Sequence, residues 1–251
     1  MTDRVFLITG GNRGLGRSMA LNLARGGADV VITYRTGADQ AASVVAEVQA
    51  LGRRAAALPL DTTEVEAFPA FGVALKTALS DMGHDALTGV VQNAGFGINA
   101  PIADTTVDQF DSLVGVHIRG PFFLTQALMP LVADGGRVLF ISTGLARFSL
   151  PGYAAYAMMK GAIEVLARYA AKEFGARGIS VNALAPGAIE TDFGGGVLRD
   201  NPDANAHVAS LTAMGRVGLP DDIGAAVATL LLSDGNWITG QRIEVSGGQL
   251  I

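Results

Sequence analysis

Tyr156 and Lys160 stand four residues apart in the run Tyr156-Ala157-Met158-Met159-Lys160, so on a helix they occupy one face. A free phenol titrates near pH 10 and is a poor base at neutrality, but a cation within ~4–6 Å can lower an acid's pKa by about 1–3. A phenol tuned in this way can give a proton to an oxygen or take one from it, and general acid–base catalysis of this kind contributes about 10²–10⁴-fold. Tyr153 has no such partner, because Ala157 stands four residues after it. An ordinary amphipathic helix also produces this spacing, so the pair acquires meaning only from its surroundings.

A second group of residues with chemistry lies near the start of the chain. The apolar run that ends at Ile8 leads into Thr9-Gly10-Gly11-Asn12-Arg13-Gly14-Leu15-Gly16, after which a helical pattern begins. A strand, a glycine turn and a helix in this order bind a pyrophosphate: the glycines let the backbone come close, and the helix N-terminal amides face the anion. The spacing is G-x-x-x-G-x-G, different from G-x-G-x-x-G. A glycine turn alone is also a plain connection; its place at the first β-to-α junction favours the phosphate. The second expected strand ends Thr33-Tyr34-Arg35 with no acid to hold ribose hydroxyls. An arginine at that point suits a 2′-phosphate. Arg35 and Arg13 together offer two guanidiniums to one phosphate, although a solvated surface arginine is the alternative for Arg35. The expected cofactor is NADP(H).

These residues need elements to hold them. Strands are expected over 4–9, 29–34, 55–60, 88–92, 137–142, 179–184 and 242–245, and helices over 15–25, 38–51, 64–79, 107–131, 153–174 and 221–232. Several strands are apolar at every position, as when helices cover both faces of a parallel sheet. The fold class expected is therefore α/β, a Rossmann-type doubly wound, seven-stranded parallel sheet, in a single domain over 1–251. Residues 191–214 break the rhythm with Gly194-Gly195-Gly196, Pro202 and several Asn and Asp. They are expected to form a mobile flap over a cleft.

Composition narrows the partners. Apolar residues make up 49% and charged residues 16%, with a net charge of -5 and no basic tract; this argues against nucleic-acid and anionic-membrane partners. The chain has no cysteine, which excludes disulfides and thiol catalysis and fits a cytoplasmic location. The first apolar run is too short for a signal-peptide core or a spanning helix. His84 and His207 have no metal-ligand pattern around them, so no metal is expected.

From end to end the chain resembles the short-chain dehydrogenase/reductase family in its compact single-domain form. The resemblance rests on Thr9-Gly10 through Gly14 and Gly16, Asn93-Ala94-Gly95 after the fourth strand, Tyr156 with Lys160, Pro186-Gly187 after the sixth strand, and the ending from Gly240-Gln241 to Gly247-Gly248. It is similar to NADP(H)-dependent ketoreductases and 3-oxoacyl-carrier-protein reductases. The resemblance implies that Asn93 braces the sheet near the cofactor and that Asp61 lies near the adenine. It also implies that Ile189 and Thr191 touch the nicotinamide carboxamide and that Lys160 holds the nicotinamide ribose.

Two positions depart from the family's pattern. A serine usually stands 13 residues before the tyrosine to polarise the substrate carbonyl, and here that position is Thr143. Ser142 precedes it and should point to the opposite face of its strand, so it ranks second. In the fourth long helix an asparagine usually completes a proton relay, and here His117 takes its place. A packing role and a relay role are equally open for His117; a relay would add a histidine-like limb to the pH–rate profile.

The resemblance thus implies reversible reduction of a ketone or aldehyde to an alcohol, with a small-molecule carbonyl or alcohol as partner. The substrate would be set by the flap and by residues such as Phe96, Arg147, Phe148 and Tyr153. Reduction of a 3-oxoacyl carrier protein is the second reading, weakened because only scattered arginines (Arg119, Arg168, Arg177) are available for docking. A non-catalytic NADPH sensor is the third. A homotetramer is expected from the family, with the apolar 237–251 segment either at the interface or closing its own sheet edge.

Overall fold

The computed structural model describes residues 4–251, and residues 1–3 of the expected unit lie outside the described residues. Seven strands form one sheet: β1 (Val5–Ile8), β2 (Asp29–Tyr34), β3 (Ala55–Pro59), β4 (Leu87–Gln92), β5 (Val132–Ile141), β6 (Ser180–Pro186) and β7 (Arg242–Val245). Their order is β3-β2-β1-β4-β5-β6-β7 and every neighbouring pair is parallel. This is the doubly wound, Rossmann-type arrangement. The strand order reverses between β1 and β4, which opens a crevice beyond their C-terminal ends, the place where such sheets bind ligands.

The side-chain alternation of the strands builds a core on each face. Val5, Leu7, Val31, Val138, Phe140 and Val181 pack with α3 (Phe68–Asp81), α5 (Gly120–Leu128) and α6 (Ala154–Phe174). Phe6, Ile8, Val30, Ile32, Leu139 and Ile141 pack with α1 (Gly14–Arg25), α2 (Ala38–Ala50) and α9 (Pro220–Leu232). All four residues of β1 are 0% exposed, so a strand apolar throughout is what this central position requires. At the opposite end of the sheet from the crevice, His84 meets the wholly buried carboxylate of Asp29 at 2.8 Å, and the Arg54 Nε donates to the same carboxylate at 2.6 Å.

Two expected helices are corrected, and the expected flap segment acquires regular structure. The helix expected over 107–131 is interrupted: α4 (Val107–Val114) passes into a π turn, Gly115–Arg119, before α5, and a 3₁₀ turn, Met129–Leu131, follows. Pro121 has no N–H to give to the carbonyl four residues earlier, so the regular ladder cannot continue there. The helix expected to begin at 64 opens instead as a 3₁₀ turn, Val65–Ala67, with α3 starting at Phe68 and Pro69 in its first turn. Finally, 191–214 is largely helical: a 3₁₀ turn, Phe193–Gly196, then α7 (Val197–Asp200) and α8 (Pro202–Ser210). Asn201 caps α8 by accepting from the amides of Asp203 and Ala204, with Pro202 in the first turn. Expected strands also shift at their ends, most at β5, which starts earlier through a register irregularity opposite β4 between Leu87 and Gly89.

Candidate active site

The glycine turn between β1 and α1 is held by groups from β4. Thr9 accepts hydrogen bonds from the amides of Asn93 and Ala94, both at 2.9 Å, and the Asn93 side chain donates to the carbonyls of Thr9 (2.9 Å) and Gly10 (3.2 Å). Gly10 and Gly14 have φ of 64° and 53°, a region that favours glycine. A Cβ at Gly16 would collide with the Gly10 carbonyl oxygen, so the turn closes only around glycine. Arg13 precedes α1 without capping it by its side chain, and the first turn of α1, which includes Leu15, carries no acid. The α1 amides are thus left to face the crevice, with the helix dipole favouring an anion.

The other expected cofactor residues line the same rim. Asn12 is largely committed within the protein, donating to the Thr36 carbonyl (3.1 Å) and to Gln40 (3.2 Å), which ties the turn to the end of β2. Tyr34 packs on the second core, and Arg35 is exposed at the strand's end. Burial acts to raise the Asp61 carboxyl, but hydrogen bonds from Thr63 and the charge of Arg35 outweigh it and hold the group below its ordinary range. The charge of Arg35 thus reaches Asp61 along the rim. Gly95 lies over His117: a Cβ there would stand 2.5 Å from the imidazole. At the end of β6, Pro186 pairs with Val245, and a Cβ on Gly187 would press on Ser246 at 2.8 Å. Ile189 bridges to Gly218, and the Thr191 hydroxyl accepts from the Phe193 amide at 3.2 Å.

Tyr156 and Lys160 lie near the N-terminal end of α6, both buried, with the Lys160 ammonium 5.7 Å from the centre of the Tyr156 ring. The Thr143 hydroxyl is hydrogen-bonded to the phenol. Ser142 turns the other way and donates to Glu164 at 2.6 Å, where Glu164 also receives Arg242 at 2.7 Å. Adjacent strand residues thus project to opposite sides, and only Thr143 reaches the tyrosine. Lys160 donates to the Ile141 carbonyl at 2.7 Å. Burial lowers its pKa to about 7.

The expected depression of the tyrosine pKa is not what this arrangement produces. Burial pushes the Tyr156 phenol up, and the Thr143 bond opposes this only in part. The neighbouring Tyr153 adds to the rise, and Lys160, itself buried and holding its own charge weakly, does not pull the phenol down.

His117, in the π turn, is 1% exposed. Its Nε2 lies 2.7 Å from the Phe96 carbonyl, which can only accept, so Nε2 carries the proton. The ring meets Tyr156 edge-on at 5.4 Å. Burial first and the Lys160 charge second lower its pKa to about 3, against the Phe96 bond, which acts to raise it. A cavity of about 10 Å³, room for one water, lies between His117 and Lys160 and is lined also by Thr9, Thr62 and Gln92.

The whole arrangement runs from the glycine turn through Asn93 to Tyr156 and Lys160 along one crevice, and the family model described as enoyl-(acyl carrier protein) reductase matches residues 10–249. The chain belongs to the short-chain dehydrogenase/reductase family. A tetrahydroxynaphthalene reductase of Pestalotiopsis fici is 36% identical, over 98% of this chain and 91% of its own. A hydroxynaphthalene reductase-like protein of Metarhizium brunneum is 34% identical over 100% of this chain and 96% of its own. Among solved structures, an angucycline C-6 ketoreductase with bound NADP superposes with a TM-score of 0.92 at 33% identity, covering 98% of this chain and 95% of that one. The chain is thus an oxidoreductase of this family, and its reductase relatives support a ketone-reducing role. Among the described residues no helix is long and apolar enough to cross a membrane.

Sequence reading passed over two features of this reductase's site. Glu164 follows Lys160 by four residues, as Lys160 follows Tyr156, so its place on the same helical face was available from spacing. The contacts of Phe193 with Tyr156, at 5.5 Å between ring centres, and of Asp192 with Arg13, at 3.7 Å, are long-range and carry no local signal.

The titrations give a direct test of His117. A group with a pKa of about 3 stays neutral from pH 5 to 9, so imidazole adds no limb there. The free enzyme's kcat/KM for cofactor should instead decline above about pH 7 as Lys160 loses its charge. His117→Asn should leave that limb in place; if the limb vanishes with the imidazole, His117 is the titrating group.

Proposed function

We propose that this protein is an NADP(H)-dependent ketoreductase in which Tyr156 is the proton donor and Thr143 positions the substrate oxygen. The observation that carries the reading is the convergence of the buried Tyr156, its Thr143 partner and Lys160 at the end of a crevice that begins at the glycine turn. A dinucleotide fits the residues present: Gly16 leaves the close approach a pyrophosphate needs, α1 offers uncapped amides, and Arg13 and Arg35 suit a 2′-phosphate.

When bound, the nicotinamide supplies or accepts the hydride. The chain's residues do the rest. Thr143 donates a hydrogen bond to the carbonyl oxygen, Tyr156 gives that oxygen its proton as the alcohol forms, and Lys160 supplies positive charge beside the tyrosine while it is short of a proton. Oxidation runs through the same groups in reverse. His117, neutral and fixed to Phe96, holds the π turn and the edge of the tyrosine ring.

The substrate wall is apolar and aromatic. Phe96, Ile98, Leu145 and Tyr153 gather around Tyr156 in a third, small cluster. Together with relatives named for hydroxynaphthalenes, this supports fused-ring hydroxyaromatic ketones as the substrate class. The matched family model's description favours a carrier-bound acyl substrate as a second reading. Against it, two of the three arginines that could receive an acidic carrier are already partnered, Arg119 by Glu66 and Arg177 by Asp134. Assaying NADPH and NADH oxidation with fused-ring ketones, small ketones, and free and carrier-linked 3-oxoacyl substrates tests the reading. Turnover of carrier-linked substrates alone would replace it with the second, and saturable NADPH binding with no turnover would make the protein a sensor.

The two hydroxyls divide the prediction. Thr143→Ala should lower kcat by about 10²-fold, the cost of losing one positioned donor at a developing oxyanion, whereas Ser142→Ala should act on stability through Glu164. Steady-state kinetics and thermal melts on both variants check this, and the opposite pattern would exchange their roles.

A further inference from the structure

One flap segment touches both ends of the crevice. Phe193 lies against Tyr156, ring centres 5.5 Å apart at 53°. It occupies space that exists only because residue 97 is glycine: a Cβ there would collide with the end of the Phe193 ring. The residue before it, Asp192, is ion-paired to Arg199 of α7 and lies 3.7 Å from the Arg13 guanidinium in the glycine turn. The residues after it, Gly194, Gly195 and Gly196, all have left-handed φ, from 63° to 78°. Such a run bends readily where other residues would resist. An aromatic stopper on the phenol and a carboxylate on a cofactor-turn arginine are therefore neighbours in one short, hinged segment.

We propose that Asp192 is a positioning residue that latches Phe193 over Tyr156 by holding Arg13, and that the 2′-phosphate of NADP(H) releases the latch by taking that guanidinium. The proposal rests on the reading of Arg13 as a phosphate contact. One guanidinium at this distance serves either the carboxylate or the phosphate. The phosphate carries more charge and can accept two hydrogen bonds from the guanidinium, where Asp192 makes one long contact of 3.7 Å, so it wins the exchange. With Asp192 let go, the glycine hinge lets Phe193 leave the phenol, and the substrate carbonyl reaches it. The substrate site then opens to the cofactor that carries the 2′-phosphate and stays covered in its absence. A stopper linked to the turn in this way also costs cofactor affinity, because binding must break the Arg13–Asp192 pair.

That cost is measurable by titrating NADPH and NADH, through the fluorescence of the bound nicotinamide at low ionic strength, into the wild type and single variants. Exposed ion pairs of this kind change equilibria by about two- to fivefold. Asp192→Asn should tighten NADPH by that factor and leave NADH unchanged. Phe193→Ala and Gly97→Ala, which remove the stopper or push it out while keeping the ring, should move NADPH affinity in the same direction. None of the three should have an effect in an Arg13→Ala background, since the latch acts through that side chain. An Asp192→Asn affinity that is unchanged or weaker, or equal tightening of NADH, overturns the proposal. Insensitivity to both Phe193→Ala and Gly97→Ala overturns the link to the stopper. If Arg13→Ala alone leaves NADPH affinity intact, the phosphate reading of Arg13 has failed; if it weakens NADPH while Asp192→Asn has no effect, only the latch has failed.

Discussion

Tyr156→Phe should lower kcat by about 10²–10⁴-fold while leaving NADPH affinity within a factor of about two. The substitution removes one hydroxyl and keeps a ring that packs against His117, Phe193 and the small cluster around Leu113 and Met159. The fold therefore tolerates it, apart from the hydrogen bond that Thr143 loses, worth about 0.5–1.5 kcal/mol. The direction of the phenol's pKa adds a second expected result. Because burial holds the group protonated well above neutrality, it is ready to donate, and ketone reduction should proceed across the neutral range. At saturating cofactor, alcohol oxidation needs the phenolate and should keep rising into alkaline pH, while kcat/KM for cofactor falls with the Lys160 charge. Steady-state rates in both directions, with cofactor binding measured separately, check both results. Comparable reduction by Tyr156→Phe would move the proton donor elsewhere in the crevice.

Lys160→Met should cost about 10²-fold or more in kcat and at the same time raise the melting temperature at pH 7. Lys160 is fully enclosed, with a single hydrogen bond to the Ile141 carbonyl. In the unfolded chain it titrates near 10.5, whereas in the folded protein burial brings it to about 7. Between these two values the unfolded chain binds more protons, so stability rises with pH across that window. Below about pH 7 both states are charged and the full penalty of burying the ammonium is present. Methionine keeps the length of the side chain and removes the charge. The gain should be greatest at and below neutral pH and fade as pH approaches 10.5. Replacement of buried charge by apolar side chains stabilises by about 1–4 kcal/mol in known cases. The lower half of that range would raise Tm by about 2–10 °C for a chain of this size. Thermal melts across pH, paired with kinetics, test both halves. A Tm that falls at pH 7 would show that the lysine's bond and packing outweigh its desolvation, and unchanged turnover would remove Lys160 from the mechanism.

The two results belong together: an active site that holds an ammonium away from water gives up stability for reactivity. Thr143 and Lys160 come near Tyr156 for the same reason that Ser142 does not. The end of β5 alternates its side chains, and α6 repeats its face every three to four residues.

Those periodicities are what the amino-acid sequence determined by itself. Seven strands, the helices between them, the glycine turn at the first junction and the shared face of Tyr156 and Lys160 all follow from local spacing. So does the opposed direction of Ser142 and Thr143. Local rules also foresee a break at Gly120-Pro121 and a helix start at Asn201-Pro202, but there the surrounding helical or loop-like pattern masked the signal. What only the tertiary structure decided are quantities set by distant neighbours. The tyrosine pKa moves up because the packed sheet and helices exclude water from the phenol. His117 is neutral because the packed interior and the Lys160 charge disfavour its protonated form, and it is fixed because Phe96, 21 residues earlier, presents a carbonyl to it. Phe193 finds Gly97, and Asp192 finds Arg13, across intervals of chain that no helical or strand period spans. Spacing along a chain specifies which side chains share a face; desolvation and contact between separate segments arise only once those faces have been packed together.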